Sequence, residues 1–149
     1  MRKRVVFVTG EKIGTNAFES IHLYKRIASF KKCANVTIIT QSHDRLPEQA
    51  GCEQVIHIGE SVDSQTDVYL MTMQADMLVF VGLAPNINPS ATLLGMTSPK
   101  CCIVVINQDC LDLPRGFHRE KVLKMRDMSI SSGLLFLSVY QWMMDLVEK

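Results

Sequence analysis

A histidine next to an aspartate is the smallest kit for general-base chemistry. This chain carries one at His43–Asp44, with a second histidine, His57, further along. Imidazole titrates near neutral pH, so either ring could take a proton from water while Asp44 orients it. A histidine in such a stretch is more often a solvated or hydrogen-bonded structural residue, and the residue types alone leave both readings open. A second chemistry begins at Gly10, which ends an apolar run. A glycine there lets backbone N–H groups approach an anion. Lys12 stands two residues on as a possible partner for that anion, with Glu11 beside it repelling the same charge. The cysteines Cys33, Cys52, Cys101, Cys102 and Cys110 show no C-x-x-C spacing. They are expected to stay reduced as small buried residues, and no metal site is expected.

Those side chains need elements to hold them. Val5–Thr9, Val36–Thr40, Val55–Ile58, Met77–Val81 and Cys101–Ile106 are apolar runs rich in β-branched residues, read as buried strands. Between them, Ala17, Ile21, Tyr24 and Ala28 recur at helical spacing, with Asn16 as N-cap. Val62–Gln74 reads as a helix with Val68, Met71 and Ala75 inward, and Pro89 as the opening of a short one. Met71, Met73, Met77, Met125 and Met128 are expected to fill the core. A partly exposed edge strand is expected around Met125–Ile130, followed by a closing helix, "SGLLFLSVYQWMMDLV". That helix is apolar nearly all round, which implies a second buried face, inside the monomer in preference to a homodimer.

Strands alternating with helices, apolar on both faces, predict an α/β fold: a doubly wound parallel sheet in three layers, α/β/α, forming a single domain over residues 1–149. In such sheets ligands bind beyond the carboxyl ends of the strands. Here the runs end in "TGEKIG", "TQSHD", "VGLAPN" and "INQD", so their polar tails gather along one rim. Donors and acceptors in that arrangement suit a nucleotide's ribose and phosphates. A net charge of +1 and 21% charged residues exclude a role driven by charge at nucleic acid or a membrane surface. No apolar run reaches the roughly 18 residues of a membrane span. The opening "MRKRVVFVTG" is too short for a signal core, so the expected location is cytoplasmic.

Four blocks, in order, are similar to the sirtuin family. "ITQSHDRLPEQAG" resembles T-Q-N-x-D-x-L-H-x-x-A-G, and "ADMLVFVGLAPNINPSATLL" resembles A-D-L-L-x-x-x-G-T-S-L-x-V-x-P-A. "CCIVVIN" resembles the following strand ending in Ile-Asn, and "RVVFVTGEKIGT" the opening strand with its G-A-G-x-S turn. The resemblance implies NAD, or an ADP-ribose-like nucleotide, as the ligand. It implies cofactor contacts at Gly10 in the phosphate turn, at Gln41 and Asp44, at Gly82, at Asn107 on the adenosine ribose, and at Ser132 in the loop bordering the adenine, beside Ser131 and Gly133.

The departures from the pattern bear on chemistry. Lys12 replaces the second turn glycine, and nothing after Thr15 matches G-I-P-D-F-R. Ser42 stands for the Asn of T-Q-N, and Leu83 and Ala84 replace the hydroxyls of G-T-S. The family's catalytic histidine belongs just past "QVI", in an H-G pair. His57 comes about two residues early, a shift of roughly 6–7 Å along a strand. The zinc ribbon is missing, as though the chain before it ran directly into the strand after it. The expectation is a sirtuin-type core that binds nucleotide without protein deacylation. Two rivals stay open: an NAD glycohydrolase using His43 or His57 with Asp44, and an interaction module acting through the last helix.

Overall fold

The fully apolar runs become the middle of a sheet. In the computed structural model, which describes residues 2–10, 13, 16–58, 66–107, 112–115, 117, 122–125 and 132–148, six strands pair in parallel throughout. They are β1 (Lys3–Thr9), β2 (Ala34–Thr40), β3 (Val55–His57), β4 (Met77–Val81), β5 (Cys102–Ile106) and β6 (Val122–Met125). Their order across the sheet is β3-β2-β1-β4-β5-β6. The chain therefore winds outward from β1 on one side, then restarts at β4 on the other. The switch point lies between β1 and β4.

Every residue of β4 and β5, and of β1 from Val5 on, is buried, because helices cover both faces. Alternate side chains go to opposite cores. Val5, Phe7, Ile38, Val79 and Val104 meet α1 (Ala17–Ser29) and α5 (Ser132–Glu148) through Leu23, Ile27, Phe136, Met143 and Val147. Val6, Val8, Ile39, Leu78, Phe80 and Val105 meet α3 (Thr66–Met73) and α4 (Ser90–Met96) through Val68, Leu93 and Leu94. The result is the three-layer α/β/α arrangement expected from the sequence. A short α2 (Leu46–Gln49), with Pro47 in its first turn, follows β2. Among the described residues no helix is long and apolar enough to cross a membrane.

Local detail departs from the sequence reading in four places. The Asn16 side chain caps α1, accepting from the Glu19 N–H at 2.8 Å. The helix, however, turns Leu23 and Ile27 inward and leaves Ala17 exposed. Tyr24 and Ala28 fit both faces, so the periodicity alone could not fix the rotation. A strand runs over Val122–Met125, where pairing Ile103 with Val122 and Ile106 with Met125 continues the ladder of β5, and the expected Met125–Ile130 strand falls beyond Met125 outside the described residues. Met73 is exposed at 54%, whereas Met77 is buried in β4. Finally, the described side chains of α5 divide into an inner and an outer face: Phe136, Met143 and Val147 are buried, while Ser138, Gln141, Trp142, Asp145 and Glu148 face solvent. Ser138, Gln141, Asp145 and Glu148 make that outer row polar, so α1 and the sheet cover the apolar side within the monomer.

Cys33 and Cys52 are free thiols, Cys101 and Cys102 are buried, and Cys110 lies outside the described residues. Burial pushes the Cys52 thiol up to about 12. Against an ordinary thiol near 8.5, that leaves on the order of a thousandfold less thiolate at neutral pH. Cys52 is therefore expected to stay unalkylated in native protein under iodoacetamide treatment that labels it fully in denaturant. Site-resolved mass spectrometry reads this directly, and prompt native labelling of Cys52 would contradict it.

Candidate functional site

At the carboxyl edge of the sheet, hydrogen bonding continues one residue past four of the strands. The Gly10 N–H donates to the Val81 carbonyl at 3.1 Å, and the Gln41 N–H to Thr9 at 3.1 Å. The Gly82 N–H donates to Ile106 at 2.9 Å, and the Ile58 N–H to Thr40 at 2.9 Å. Gly10, Gln41, Gly82 and Asn107 thus stand in one rank, each the first residue beyond its strand. Four of the six positions marked from the sequence for a cofactor are brought together in this way.

The two glycines meet at the switch point. A Cβ built on Gly10 would sit 2.5 Å from the Gly82 carbonyl oxygen, closer than side-chain carbons approach oxygen. Gly82 itself has φ of 75°, where a side chain is strained. Because both N–H groups are engaged in the sheet, what these glycines supply is close approach: backbone lies against backbone, with the Leu83 side chain next nearest to Gly10. Asn107 is buried and Gln41 half-buried beside them. Beneath the rank, the strand-ending threonines Thr9 and Thr40 are register partners, and Thr9 Oγ1 lies 3.0 Å from Tyr24 Oη of α1. Burial raises the Tyr24 phenol above its ordinary value, so it stays neutral and pins α1 beneath the edge.

The stretch after β2 folds back on itself. The Ser42 N–H donates to Thr40 Oγ1 at 3.0 Å, and the Asp44 N–H to Ser42 Oγ at 3.3 Å. Asp44 Oδ1 accepts from the Leu46 N–H at 3.1 Å and so starts α2. His43 and Asp44 are both exposed on this loop. His57, at the end of β3, is held at both ring nitrogens: Nδ1 is 2.6 Å from the Ser42 carbonyl, and Nε2 is 2.8 Å from Glu48 Oε2. Burial works to lower the His57 pKa, but the Ser42 carbonyl and the Glu48 carboxylate outweigh it and hold the ring above its ordinary value. Glu48 shows the converse. Burial works to raise it, and the contacts from His57 and Arg45 hold it below the usual carboxylate range. A ring facing two acceptors offers no lone pair to a substrate.

Ser132 opens α5, with its side chain outside the described residues, as are Glu11, Lys12 and Ser131. Sequence reasoning missed Glu48 and the hydroxyl role of Tyr24. Tyr24 had been counted by its place on the helix face, and Glu48 carried no mark except its position after Pro47. A groove of about 400 Å³, lined in part by Arg4, Asn35, Thr37, Gln54 and Gln74, opens at the amino ends of β1 and β2. It contains none of the residues marked from the sequence for catalysis or for a cofactor. The carboxyl edge is the better candidate because the switch point and the convergent polar groups are there. Among the described residues no cluster of His, Cys, Asp or Glu could hold a metal ion.

No protein-family model and no curated protein matches the sequence. Solved structures do resemble the fold. A Sir2 enzyme studied for its mechanism and regulation is 13% identical, covering 99% of this chain and 95% of that one with a TM-score of 0.67. A mutant Sir2 homologue in complex with 2'-O-acetyl ADP ribose is 12% identical, covering 97% of this chain and 93% of that one, also with a TM-score of 0.67. An exopolyphosphatase-related protein from Bacteroides fragilis is 18% identical over 99% of this chain but 42% of its own, with a TM-score of 0.62. A shared sheet hosts differently named proteins, so the likeness speaks for fold and not for reaction. Together with the strand order, the switch-point glycines and the ordered motifs, it establishes that the chain has a sirtuin-like fold, the doubly wound core of that family.

Proposed function

We propose that the chain binds NAD or an ADP-ribose-like nucleotide at the carboxyl edge of its sheet and does not deacylate proteins. The observation that carries this is the rank of Gly10, Gln41, Gly82 and Asn107 across the switch point. Gly10 and Gly82 let the ends of β1 and β4 approach closely at the switch point, where the pyrophosphate would lie. Asn107 and Gln41 offer amide donors and acceptors for ribose hydroxyls, with Asp44 on the loop and Ser132 at the start of α5 completing the set. The complex of a Sir2 homologue with 2'-O-acetyl ADP ribose supports the choice of ligand.

Deacylation needs a free base beside a held ribose and a tunnel for the acyl group. Both nitrogens of His57 are occupied. Only residues 58–65 separate β3 from α3, which leaves no room for a ribbon domain. NAD hydrolysis would fall to His43, but Asp44 gives Oδ1 to the Leu46 N–H, so the loop geometry favours a binder over a glycohydrolase. Asn107→Ala is expected to weaken ADP-ribose binding about tenfold, the scale of one lost hydrogen bond to a buried partner. Calorimetric titration of both proteins checks it, and unchanged affinity would remove Asn107 from the site.

A further inference from the structure

His57 faces a carbonyl oxygen at 2.6 Å on one side and a carboxylate oxygen at 2.8 Å on the other. Both partners can only accept, so filling both contacts requires a proton on each ring nitrogen. A neutral imidazole carries one. On deprotonation, one contact sets lone pair against lone pair and must open. Three elements meet on this ring: the end of β3 through His57, the tail of β2 through Ser42, and α2 through Glu48. The loop bearing His43 and Asp44 runs between Ser42 and Glu48. Gln41 is tied to β1 through its N–H to the Thr9 carbonyl, and the loop's remaining ties among the described residues, from Thr40 Oγ1, Ser42 Oγ and Asp44 Oδ1, are local.

We infer that Glu48 and His57 form a proton-dependent clamp that sets the position of the Gln41–Asp44 loop, and that both are positioning residues for a ligand held there. The ligand half of this rests on the nucleotide reading above. Glu48 Oε1 is buried without a hydrogen-bond partner. The carboxylate is therefore held through Oε2 alone, between His57 at 2.8 Å and Arg45 Nη1 at 3.0 Å. Arg45 opposes the charge on His57 and favours that on Glu48. The other titratable groups on or near the loop among the described residues are exposed His43 and Asp44, the Tyr24 phenol from α1 and the Cys52 thiol. The last two stay neutral through the range that matters. A His43→Gln background removes the loop's own imidazole from the test.

The sign follows from the directions. His57 is raised, so its part of the clamp is complete below the ordinary histidine value of about 6.5 and is lost as pH climbs through the raised value. Glu48 is lowered, so its part is complete above the ordinary carboxylate value and fails only as pH falls through the depressed one. The clamp is closed between these limits.

Nuclear magnetic resonance on isotopically labelled protein tests it, following the His57 ring and the backbone amides of residues 41–44 against pH. The expected result is a ring midpoint above that of an ordinary histidine, with the four amides moving at the same midpoint. In Glu48→Gln both should move to lower pH; in Glu53→Gln, whose carboxylate pairs with Lys31 instead, neither should. ADP-ribose should bind roughly five- to tenfold more weakly above the midpoint than below it, a dependence that moves to lower pH with the ring in Glu48→Gln. Amides that ignore the ring, or a ring that ignores Glu48→Gln, overturn the clamp. Amides that move while affinity stays level overturn the positioning role. If ADP-ribose binds at no pH, the nucleotide reading falls, and moving amides still establish the clamp.

Discussion

Gly10→Ala is expected to destabilise the fold by about 2–3 kcal/mol and to abolish measurable nucleotide binding. The new Cβ would sit 2.5 Å from the Gly82 oxygen and 3.3 Å from its carbonyl carbon. Both are backbone atoms, so no side-chain rotation relieves the overlap. Gly82 cannot retreat freely either, because its N–H is bonded to Ile106 at the end of β5. Relief has to separate β1 from β4 at the switch point, breaking the Gly10–Val81 hydrogen bond and leaving buried groups unpaired. The same displacement distorts the crevice where the ligand is proposed to sit. Urea denaturation with parallel ADP-ribose titration measures both effects. A variant of unchanged stability would mean that the switch point is slack and that Gly10 has another role.

Phe136→Ala should cost still more, about 3–5 kcal/mol, the range for truncating a fully buried aromatic. Phe136 has no exposed surface. Its ring meets Phe7 of β1 edge-on, with centroids 5.9 Å apart at 87°, and lies 6.4 Å from Phe30 and 6.2 Å from Tyr140. Tyr140 in turn carries the Arg26 guanidinium over its face and hydrogen-bonds Ser29, both on α1. One side chain thus joins α5 to the central strand and to the end of α1. Domains have about 5–15 kcal/mol to lose, so this variant should unfold at far lower urea concentration, or fail to fold at moderate temperature. A change below 1 kcal/mol would show that α5 is an accessory to the fold.

Much of this was legible in the residues. "VVFVT", "MLVFV" and "CIVVI" read as strands because burial on both faces tolerates only apolar side chains, and those strands form the sheet's centre. The polar tails after them marked the carboxyl edge for the same reason: apolar runs stop where helices no longer cover them. Edges were harder. "VLKM" is only four residues long, too short to show a period, and only the ladder of β5 fixes its register. The rotation of α1 depends on which of two overlapping stripes meets Phe7 and Ile38, a fact held by the sheet and not by the helix. Gly10 was chosen for anion approach, whereas its tightest constraint is a carbonyl from a glycine far along the chain. His57 was weighed with Asp44, its neighbour in motif, yet its partners are Ser42 and Glu48. Periodicity reports which face is buried. It does not report which polar atoms meet across elements, because hydrogen-bond partners separated in sequence leave no spacing to read.

The proposed site depends on nucleotide binding at the carboxyl edge. Calorimetric titration of the unmodified protein with ADP-ribose, NAD and nicotinamide, with the NAD sample assayed afterwards for released nicotinamide, tests it most directly. The predicted result is micromolar binding of ADP-ribose and NAD with the NAD intact. Silence for all three up to millimolar concentration would contradict it, leaving a sirtuin-like sheet whose edge no longer serves a nucleotide.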